Sequence, residues 1–251
     1  MSISARLSLY KSLMCPLYRY GAGIWSLTDH QLKLLERFHL GILKKILGCA
    51  KTTTTAAVYS ETGMSPILFE LDKSFFQFVG RLAVMNPVRL VSKLFLFSAE
   101  DDVFTVKGGD RKKSPWRHRL DALINEYNLE ESFQNLKSST ISHEMWKSRV
   151  KSAVWKARCA HVKSALSSAV KCSHLQFHCE GANPAEYLSL QPAKLASFFF
   201  KLRSGSLRLE IEEGRFKKIE RVKRFCRVCC EEVVEDVRHF VFECSALKSV
   251  T

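Results

Sequence analysis

The sequence predicts a mainly α-helical chain that closes with a small cysteine-rich module, and three observations support this fold class. Thr28 and Gln31 form a capping-box pattern in front of apolar residues at helical spacing. A serine followed by a proline marks a helix start at Ser65 and again at Ser114. Near the C-terminus, a C-x2-C pair is followed by H-x4-C, which is the spacing of a small metal-binding fold.

Helices are predicted along most of the first hundred residues. Residues 3–15 form a short helix that a proline ends, and residues 18–25 form a glycine-broken aromatic turn. The capped helix runs to Gly48, and its apolar face consists of Leu32, Leu35, Phe38, Ile42, Leu43 and Ile46. A phenylalanine-rich helix then extends from Ser65 to about Met85. Aromatic residues at this density are predicted to form core rather than a platform for nucleic-acid bases.

The middle of the chain is predicted to contain a loop and two helices. Residues 98–114 combine an acidic run, two adjacent glycines and a basic run, so they form the predicted internal boundary. One helix starts at Ser114, and a longer one spans about residues 140–171. The basic side of the longer helix consists of Lys147, Arg149, Lys151, Lys156, Arg158 and Lys163. Such a helix lies on phosphate, lies on a membrane surface or is simply solvated, and the sequence leaves these alternatives open.

Three further features precede the C-terminal cysteines. A helix starting at Pro192 carries three successive phenylalanines, which cannot share one face, so it is predicted to be buried on several sides. The apolar residues of 207–211 alternate with charged ones, which predicts a short strand. The cluster at 172–179 has no zinc-site spacing and is not assigned to a metal; it consists of Cys172, His174, His178 and Cys179. We divide the chain into residues 1–100, 114–180 and 184–251.

The composition favours a polyanionic partner and a reducing compartment. Thirty-nine Lys and Arg against 25 Asp and Glu give a net charge of +14. This excess favours RNA or DNA, with an anionic membrane surface as the second candidate. Nine cysteines, an odd number with no signal peptide before them, predict reduced thiols in an intracellular protein of the nucleus or cytoplasm. No uncharged apolar run reaches the length of a membrane span.

The predicted metal ligands are Cys226, Cys229, His239 and Cys244. Three thiolates and one imidazole suit a tetrahedral structural zinc ion, and they leave no coordination position open for a substrate. Cys230 competes with Cys229 as the second ligand. The alternative interpretation is a set of reduced thiols in an ordinary core.

Basic residues crowd the approach to this site. Between Lys194 and Arg227, eleven bases are opposed by four acids, which favours contact with phosphates. The candidates for nucleic-acid binding are Lys201, Arg203, Arg215, Lys217, Lys218, Arg221, Lys223 and Arg224, together with Lys147, Lys151 and Arg158 on the long helix.

These C-terminal residues also resemble a known family. The run Lys201–Arg215, followed by Cys226-x2-Cys229, Val234-Glu235-Asp236, His239-Phe240 and Cys244, is similar to the C-terminal end of reverse transcriptases from LINE-type, non-long-terminal-repeat retrotransposons. Residues 17–25, 43–48 and 58–66 are similar to the segment that follows the polymerase palm in that family.

The resemblance implies a helical thumb and linker region followed by a CCHC zinc knuckle that helps to hold template RNA or target DNA. It implies that the chain corresponds to a detached C-terminal piece of such a polyprotein. Members of the family continue into a further short helix, whereas seven residues follow Cys244 here, so the comparison also implies a less stable zinc site.

Catalytic patterns are not found in the sequence. A polymerase palm needs paired aspartates that hold two metal ions, and the adjacent pair Asp101-Asp102 lacks the flanking residues of a palm. We therefore predict a non-catalytic fragment that binds nucleic acid through a basic surface and a structural zinc knuckle. The alternatives are a zinc-stapled adaptor for a protein or an anionic membrane, and the product of a decayed element without function.

Overall fold

Helices make up almost all of the regular structure, which confirms the predicted fold class. The computed structural model describes residues 1–25, 27–99, 103–105, 111–169, 171–172, 175 and 183–248. The helices are α1 (Ile3–Leu13), α2 (Cys15–Arg19), α3 (Asp29–Leu47), α4 (Thr55–Thr62), α5 (Ile67–Ala83), α6 (Leu90–Ala99), α7 (Pro115–Glu126), α8 (Glu130–Lys137), α9 (His143–Ser167), α10 (Ala193–Arg203), α11 (Glu210–Phe216) and α12 (Ser245–Lys248). Two short strands, β1 (Val103–Thr105) and β2 (Arg111–Lys113), pair antiparallel with Val103 opposite Lys113.

The chain folds into two compact units, and each unit draws on separate stretches of sequence. Unit 1 consists of Met1–Arg6, Ile42–Gly63 and Ala165–Thr251. Unit 2 consists of Leu7–Gly41 and Met64–Ser164. The division into three consecutive segments that the sequence suggested stays a prediction. Among the described residues, no helix combines the length and the apolar character that a membrane span requires.

The capping box at the start of α3 is confirmed. The Thr28 backbone N–H donates to Gln31 Oε1 at 2.9 Å, and the Gln31 N–H donates to Thr28 Oγ1 at 3.4 Å. Gly48 follows the helix at a φ of +65°, a conformation that glycine adopts without steric cost. The predicted apolar face was wrong in one position, because Phe38 is 55% exposed while the neighbouring His39 is fully buried.

The two serine–proline helix starts have different outcomes. Ser114 caps α7 as predicted, since its Oγ accepts the Arg117 N–H at 3.2 Å. Ser65 does not cap α5, whose N-cap residue is Pro66. The Ile67 N–H instead donates to the Glu36 carboxylate of α3 at 2.8 Å, so a tertiary contact satisfies this helix end.

Three local predictions were wrong. The proline expected to end the first helix lies in the first turn of α2, where its missing N–H costs nothing. Residues 207–211 do not form a strand, because α11 begins at Glu210 and the Glu210 N–H donates to the Glu235 carboxylate at 2.7 Å. Of the three successive phenylalanines on α10, Phe200 is fully buried, whereas Phe198 and Phe199 are exposed.

The core of unit 2 forms around Trp146 of α9. Trp146 is fully buried, and its Nε1–H donates to the Phe76 carbonyl at 3.0 Å. Its ring lies edge-on to Phe76 and tilted against Phe133, at centroid distances of 5.9 and 6.1 Å. The dense aromatic residues of α5 are therefore core, as the sequence predicted.

His39 is a buried neutral histidine in unit 2. Its Nε2 lies 3.1 Å from the Ser65 carbonyl and must donate, so its Nδ1 accepts from the Tyr10 hydroxyl at 2.6 Å. Burial lowers the pKa of His39 to about 4. Asp72, also in unit 2, shows the opposite change, because burial raises the pKa of its carboxyl to about 6 against the opposing effects of Tyr127 and Arg119.

These two groups should give opposite pH dependences of stability. The unfolded chain binds the extra proton at His39 between about pH 6.5 and 4, so this site loses stability as the pH falls. The folded chain binds the extra proton at Asp72 between about pH 4 and 6, so that site gains stability as the pH falls. Between about pH 7 and 5, each group changes the free energy of unfolding by on the order of 1–2 kcal/mol.

We expect acidification from about pH 7 to 5 to stabilise the His39→Gln variant and to destabilise the Asp72→Asn variant, because each keeps the other group's contribution. Urea unfolding at both pH values measures this difference, and the wild-type chain, in which the two nearly cancel, is the control. Parallel pH dependences of the two variants would contradict the expectation.

Candidate metal centre and basic segment

A short hairpin positions the first two cysteines of the candidate metal centre. Phe225 and Val234 form an antiparallel bridge, and the Cys226 N–H donates to the Val233 carbonyl at 2.8 Å. Cys226 and Cys229 therefore lie at the start of the hairpin loop. The Val228 N–H points at Cys226 Sγ at 3.4 Å, an orientation that supports a thiolate.

A π-helical turn positions the other two ligands. It spans His239–Glu243, and the Cys244 N–H closes it by donating to the His239 carbonyl at 2.7 Å. This five-residue closure is wider than an α-turn and brings Cys244 to the same side as His239. Asp236 holds the start of the turn, because its Oδ1 accepts the His239 N–H at 2.8 Å.

The four side chains converge. One ligand atom from each of Cys226, Cys229, His239 and Cys244 lies within 4.8 Å of all the others. Cys229 Sγ and His239 Nε2 are 3.5 Å apart. Tetrahedral zinc with ordinary Zn–S and Zn–N bonds places such a pair about 3.6 Å apart. Cys226, His239 and Cys244 are buried and Cys229 is half-buried, so the cluster could hold a metal ion largely shielded from water.

Without a cation, the Cys226 thiol of this cluster stays protonated. Burial raises the pKa of the Cys226 thiol to about 11, so this side chain is neutral near pH 7. A divalent cation would reverse this preference, because a coordinating thiol loses its proton. Metal binding at this site is therefore coupled to proton release.

Glu235 supports the cluster, and the metal-ligand spacing gave no signal for it. It is buried, and its Oε1 lies 3.8 Å from Cys226 Sγ. Its other oxygen accepts the Glu210 N–H, which connects the hairpin to the start of α11. The signal available in the sequence was the Val234-Glu235-Asp236 run of the family resemblance, which carried no role for the carboxylate.

The remaining metal candidates are separate from this cluster. Cys230 is exposed, and its thiol lies 3.6 Å from the Arg227 carbonyl rather than with the four ligands. In the second cysteine–histidine cluster, Cys172 is buried, while His174, His178 and Cys179 lie outside the described residues. The pair Asp101-Asp102 also lies outside them.

Five of the nucleic-acid candidates form an exposed stretch immediately before the metal centre. We call residues 215–223 the basic segment; its exposed bases are Arg215, Lys217, Lys218, Arg221 and Lys223. Lys218 and Arg221 form no ion pair with any described residue. Lys223 pairs with Glu220 at 2.8 Å, but both side chains are well exposed, and such surface pairs are weak.

The other candidates have mixed environments. Lys201 is half-buried, Lys151 is exposed, and Lys147 pairs with Glu144 on the surface of α9 at 2.8 Å. Arg224 is half-buried, and its guanidinium donates to the Ile211 and Ile219 carbonyls. Arg224 therefore holds the basic segment in place rather than presenting a charge.

Two of the predicted phosphate-binding arginines have partners within the protein instead. Arg158 is 1% exposed; it donates to the Met64 carbonyl at 3.1 Å and stacks on Trp155. Arg203 forms a forked ion pair with the buried carboxylate of Glu61, which also accepts from the Tyr187 hydroxyl. Each guanidinium supplies the hydrogen-bond donor that a buried carbonyl or carboxylate needs.

Comparison with known proteins finds no match: no family model, no curated protein and no solved structure matches the chain. The family resemblance described from the sequence stays a prediction.

Proposed function

We propose that this chain binds single-stranded nucleic acid through the basic segment and that a structural zinc ion at the Cys3His cluster holds that segment in position. The observation that supports the proposal most directly is the convergence of four metal-ligand side chains directly after the exposed bases. The cluster offers no position for a substrate once four protein ligands are bound, so the metal's role is structural. Zinc is proposed because three thiolates and an imidazole are the ligands it prefers.

The charge distribution supports a phosphate partner. The exposed bases of the basic segment follow one another closely, and Arg224 and the hairpin fix the end of that segment. Because these cations are ordered before binding, the entropic cost of binding is smaller. We also propose that the function is non-catalytic, in keeping with the resemblance of the sequence to the C-terminal end of LINE-type reverse transcriptases. None of the described cysteines forms a disulfide, which supports the proposal of a reducing, intracellular setting.

We expect the Lys218→Ala, Arg221→Ala, Lys223→Ala triple variant to bind single-stranded RNA or DNA more weakly than the wild-type chain. Each lost phosphate contact should lower the slope of log affinity against log salt by about 0.7, or about 2 for the three. Fluorescence anisotropy with a short labelled strand over a range of salt concentrations measures both changes.

The wild-type chain and the triple variant should both give only background primer extension with magnesium or manganese.

The matched control is a Lys33→Ala, Arg37→Ala, Lys45→Ala triple variant, which removes equal charge from exposed positions of α3. It should leave the salt slope close to that of the wild-type chain. If the wild-type chain binds no strand at low salt, or if both triple variants behave alike, the basic segment is not the binding surface.

Exposed apolar side chains favour one alternative, an adaptor for an anionic membrane. Phe216, Val222 and Phe242 are about 70% exposed within or near the metal module. Basic residues next to such side chains are typical of peripheral membrane binding. Co-sedimentation with phosphatidylserine vesicles, together with an absence of strand binding at low salt, would support the adaptor instead.

A further inference from the structure

Unit 2 presents exposed apolar side chains where α5 ends and α6 begins. We call residues 84–94 the α5–α6 tip; its exposed apolar side chains, each between 51% and 76% exposed, are Val84, Val88, Leu90, Val91 and Leu94. Side chains this exposed contribute little to the core of unit 2. Neither the family resemblance nor the proposed nucleic-acid surface assigns a role to them.

The core of unit 2 holds the tip at both ends. Leu82 and Phe95, which flank the tip, are each 4% exposed and belong to the same core as Trp146. Met85, within the tip, packs against that core as well. The tip is therefore a fixed part of the fold, and its aliphatic side chains nevertheless stay in contact with water.

Hydrogen bonds within the tip satisfy several of its polar groups. The Asn86 side chain accepts the Val88 N–H at 2.9 Å, and the Asn86 carbonyl accepts the Arg89 N–H at 3.0 Å. The buried Ser92 hydroxyl donates to the Met85 carbonyl at 3.2 Å. Polar groups that enter an apolar medium unpaired carry a large energetic cost, so these bonds lower the cost of placing the tip in lipid.

Bases lie within and beside the tip, without neighbouring acids along the chain. Arg81, Arg89 and Lys93 are exposed, and none of them forms an ion pair with any described residue. The sequence of residues 82–99 contains no aspartate or glutamate. Apolar side chains among unpaired bases complement a surface that is anionic outside and apolar beneath, which is the chemistry of a bilayer with anionic lipids.

The types of exposed side chain favour lipid over a protein or a nucleic acid. Residues that dominate the binding energy of protein interfaces are enriched in Trp, Tyr and Arg, whereas Leu and Val are under-represented. Single strands bind where aromatic rings stack their bases, and the exposed apolar side chains of the tip are aliphatic. Aliphatic groups gain free energy when they leave water for acyl chains.

We propose that the α5–α6 tip docks unit 2 onto an anionic membrane surface. Val88, Leu90 and Leu94 enter the boundary between headgroups and acyl chains, to a depth of about 5–10 Å, and Arg89 and Lys93 contact the anionic headgroups. This inference goes beyond the proposed function, because the tip belongs to unit 2 and the metal centre to unit 1.

Co-sedimentation of the whole chain with lipid vesicles tests the docking. We expect the wild-type chain to bind vesicles of mixed phosphatidylcholine and phosphatidylserine. It should bind pure phosphatidylcholine vesicles at least about tenfold more weakly, because the surface charge that attracts the bases is absent. Added salt should weaken the binding to the anionic vesicles, since it screens the same attraction.

Two variants of the tip separate the apolar contribution from the charged one. Leu90→Gln, Leu94→Gln should weaken binding to the anionic vesicles at least about tenfold, because two inserted side chains become polar. Arg89→Ala, Lys93→Ala should weaken it about fivefold for each base. All four side chains are exposed, and the replacements favour helix, so both variants should melt close to the wild-type chain.

Two control variants make the same kinds of change elsewhere. Leu13→Gln, Leu17→Gln alters leucines that are 65% and 64% exposed. Lys33→Ala, Arg37→Ala removes two exposed bases of α3. Both controls should bind the anionic vesicles as the wild-type chain does.

Three results would overturn the proposal. The first is a wild-type chain that does not bind the anionic vesicles, and the second is a control that loses as much binding as the matching tip variant. The third is a loss of vesicle binding in the Lys218→Ala, Arg221→Ala, Lys223→Ala variant while the tip variants bind normally, because the basic segment would then be the lipid contact.

Sedimentation of the chain without lipid tests a second copy as the occupant. A dimer that forms without vesicle binding and that Leu90→Gln, Leu94→Gln disrupts would replace the membrane with a second copy of the chain. Strand binding is measured separately, and this variant should bind strands as the wild-type chain does, because the tip lies outside the basic segment. A failure of membrane docking therefore leaves the proposed function standing, and the reverse also holds.

Discussion

Replacing Cys226 with serine is expected to remove the metal and to unfold the hairpin and π-helical turn. Structural zinc contributes about 10–16 kcal/mol of apparent binding free energy in small zinc modules, so little of the local fold should survive without it. Metal analysis of the purified wild-type chain should find one zinc ion per chain. Substitution by cobalt should give the visible absorption of a tetrahedral thiolate site, and the Cys226→Ser variant should lose both signals.

Cys230→Ser is the matched control, because this exposed cysteine lies next to a ligand and outside the cluster. It should keep the metal in full. Trypsin provides an independent measure of folding, since the Cys226→Ser variant should be cut faster within the basic segment than the Cys230→Ser variant. A wild-type chain purified without metal, or a Cys226→Ser variant that retains it, would contradict the assignment.

Trp146→Ala is expected to destabilise unit 2 by about 3–5 kcal/mol. The substitution opens a cavity between Phe76 and Phe133 and leaves the Phe76 carbonyl without its indole donor. Urea unfolding followed by circular dichroism measures the loss. Trp155→Ala, which removes a half-buried indole from the same helix, is the control and should cost less.

Gly80 provides a second test of the same contact. A Cβ at Gly80 would lie 2.4 Å from Trp146 Cδ1, so Gly80→Ala alone should cost about 1–3 kcal/mol. In the Trp146→Ala background the clash with the indole is absent and a tight contact of 3.1 Å with His143 Cδ2 remains, so the added cost should shrink. Additive costs in the double variant would show that the glycine does not serve the indole.

Three features predicted correctly from the sequence have partners that are close along the chain. Thr28 and Gln31 are three residues apart, and their capping box has the predicted geometry. Ser114 caps α7 through Arg117, again at a separation of three residues. The four metal ligands fall within a single stretch of 19 positions, 226 to 244, so their spacing alone predicted that they meet.

Three features predicted incorrectly depend on partners far along the chain. Glu36 satisfies the start of α5 in place of Ser65, at a separation of 31 residues. Glu235 fixes the start of α11 where alternating residues predicted a strand, at a separation of 25 residues. Arg158 has the sequence pattern of a solvated base and is buried because the Met64 carbonyl, 94 residues away, needs its donor. Periodicity cannot identify such partners.

The Glu61 network has a consequence for how the chain is made. Glu61 depends on Tyr187 and Arg203, which are 126 and 142 residues further along the chain. A ribosome adding about 5–20 residues per second would synthesise Arg203 roughly 7–28 s after Glu61. Until then the carboxylate has no guanidinium partner, so α4 cannot be buried without leaving a charge unpaired. Unit 1 is therefore expected to complete its fold late in translation, and the nascent chain should expose residues 42–63 to chaperones for that interval.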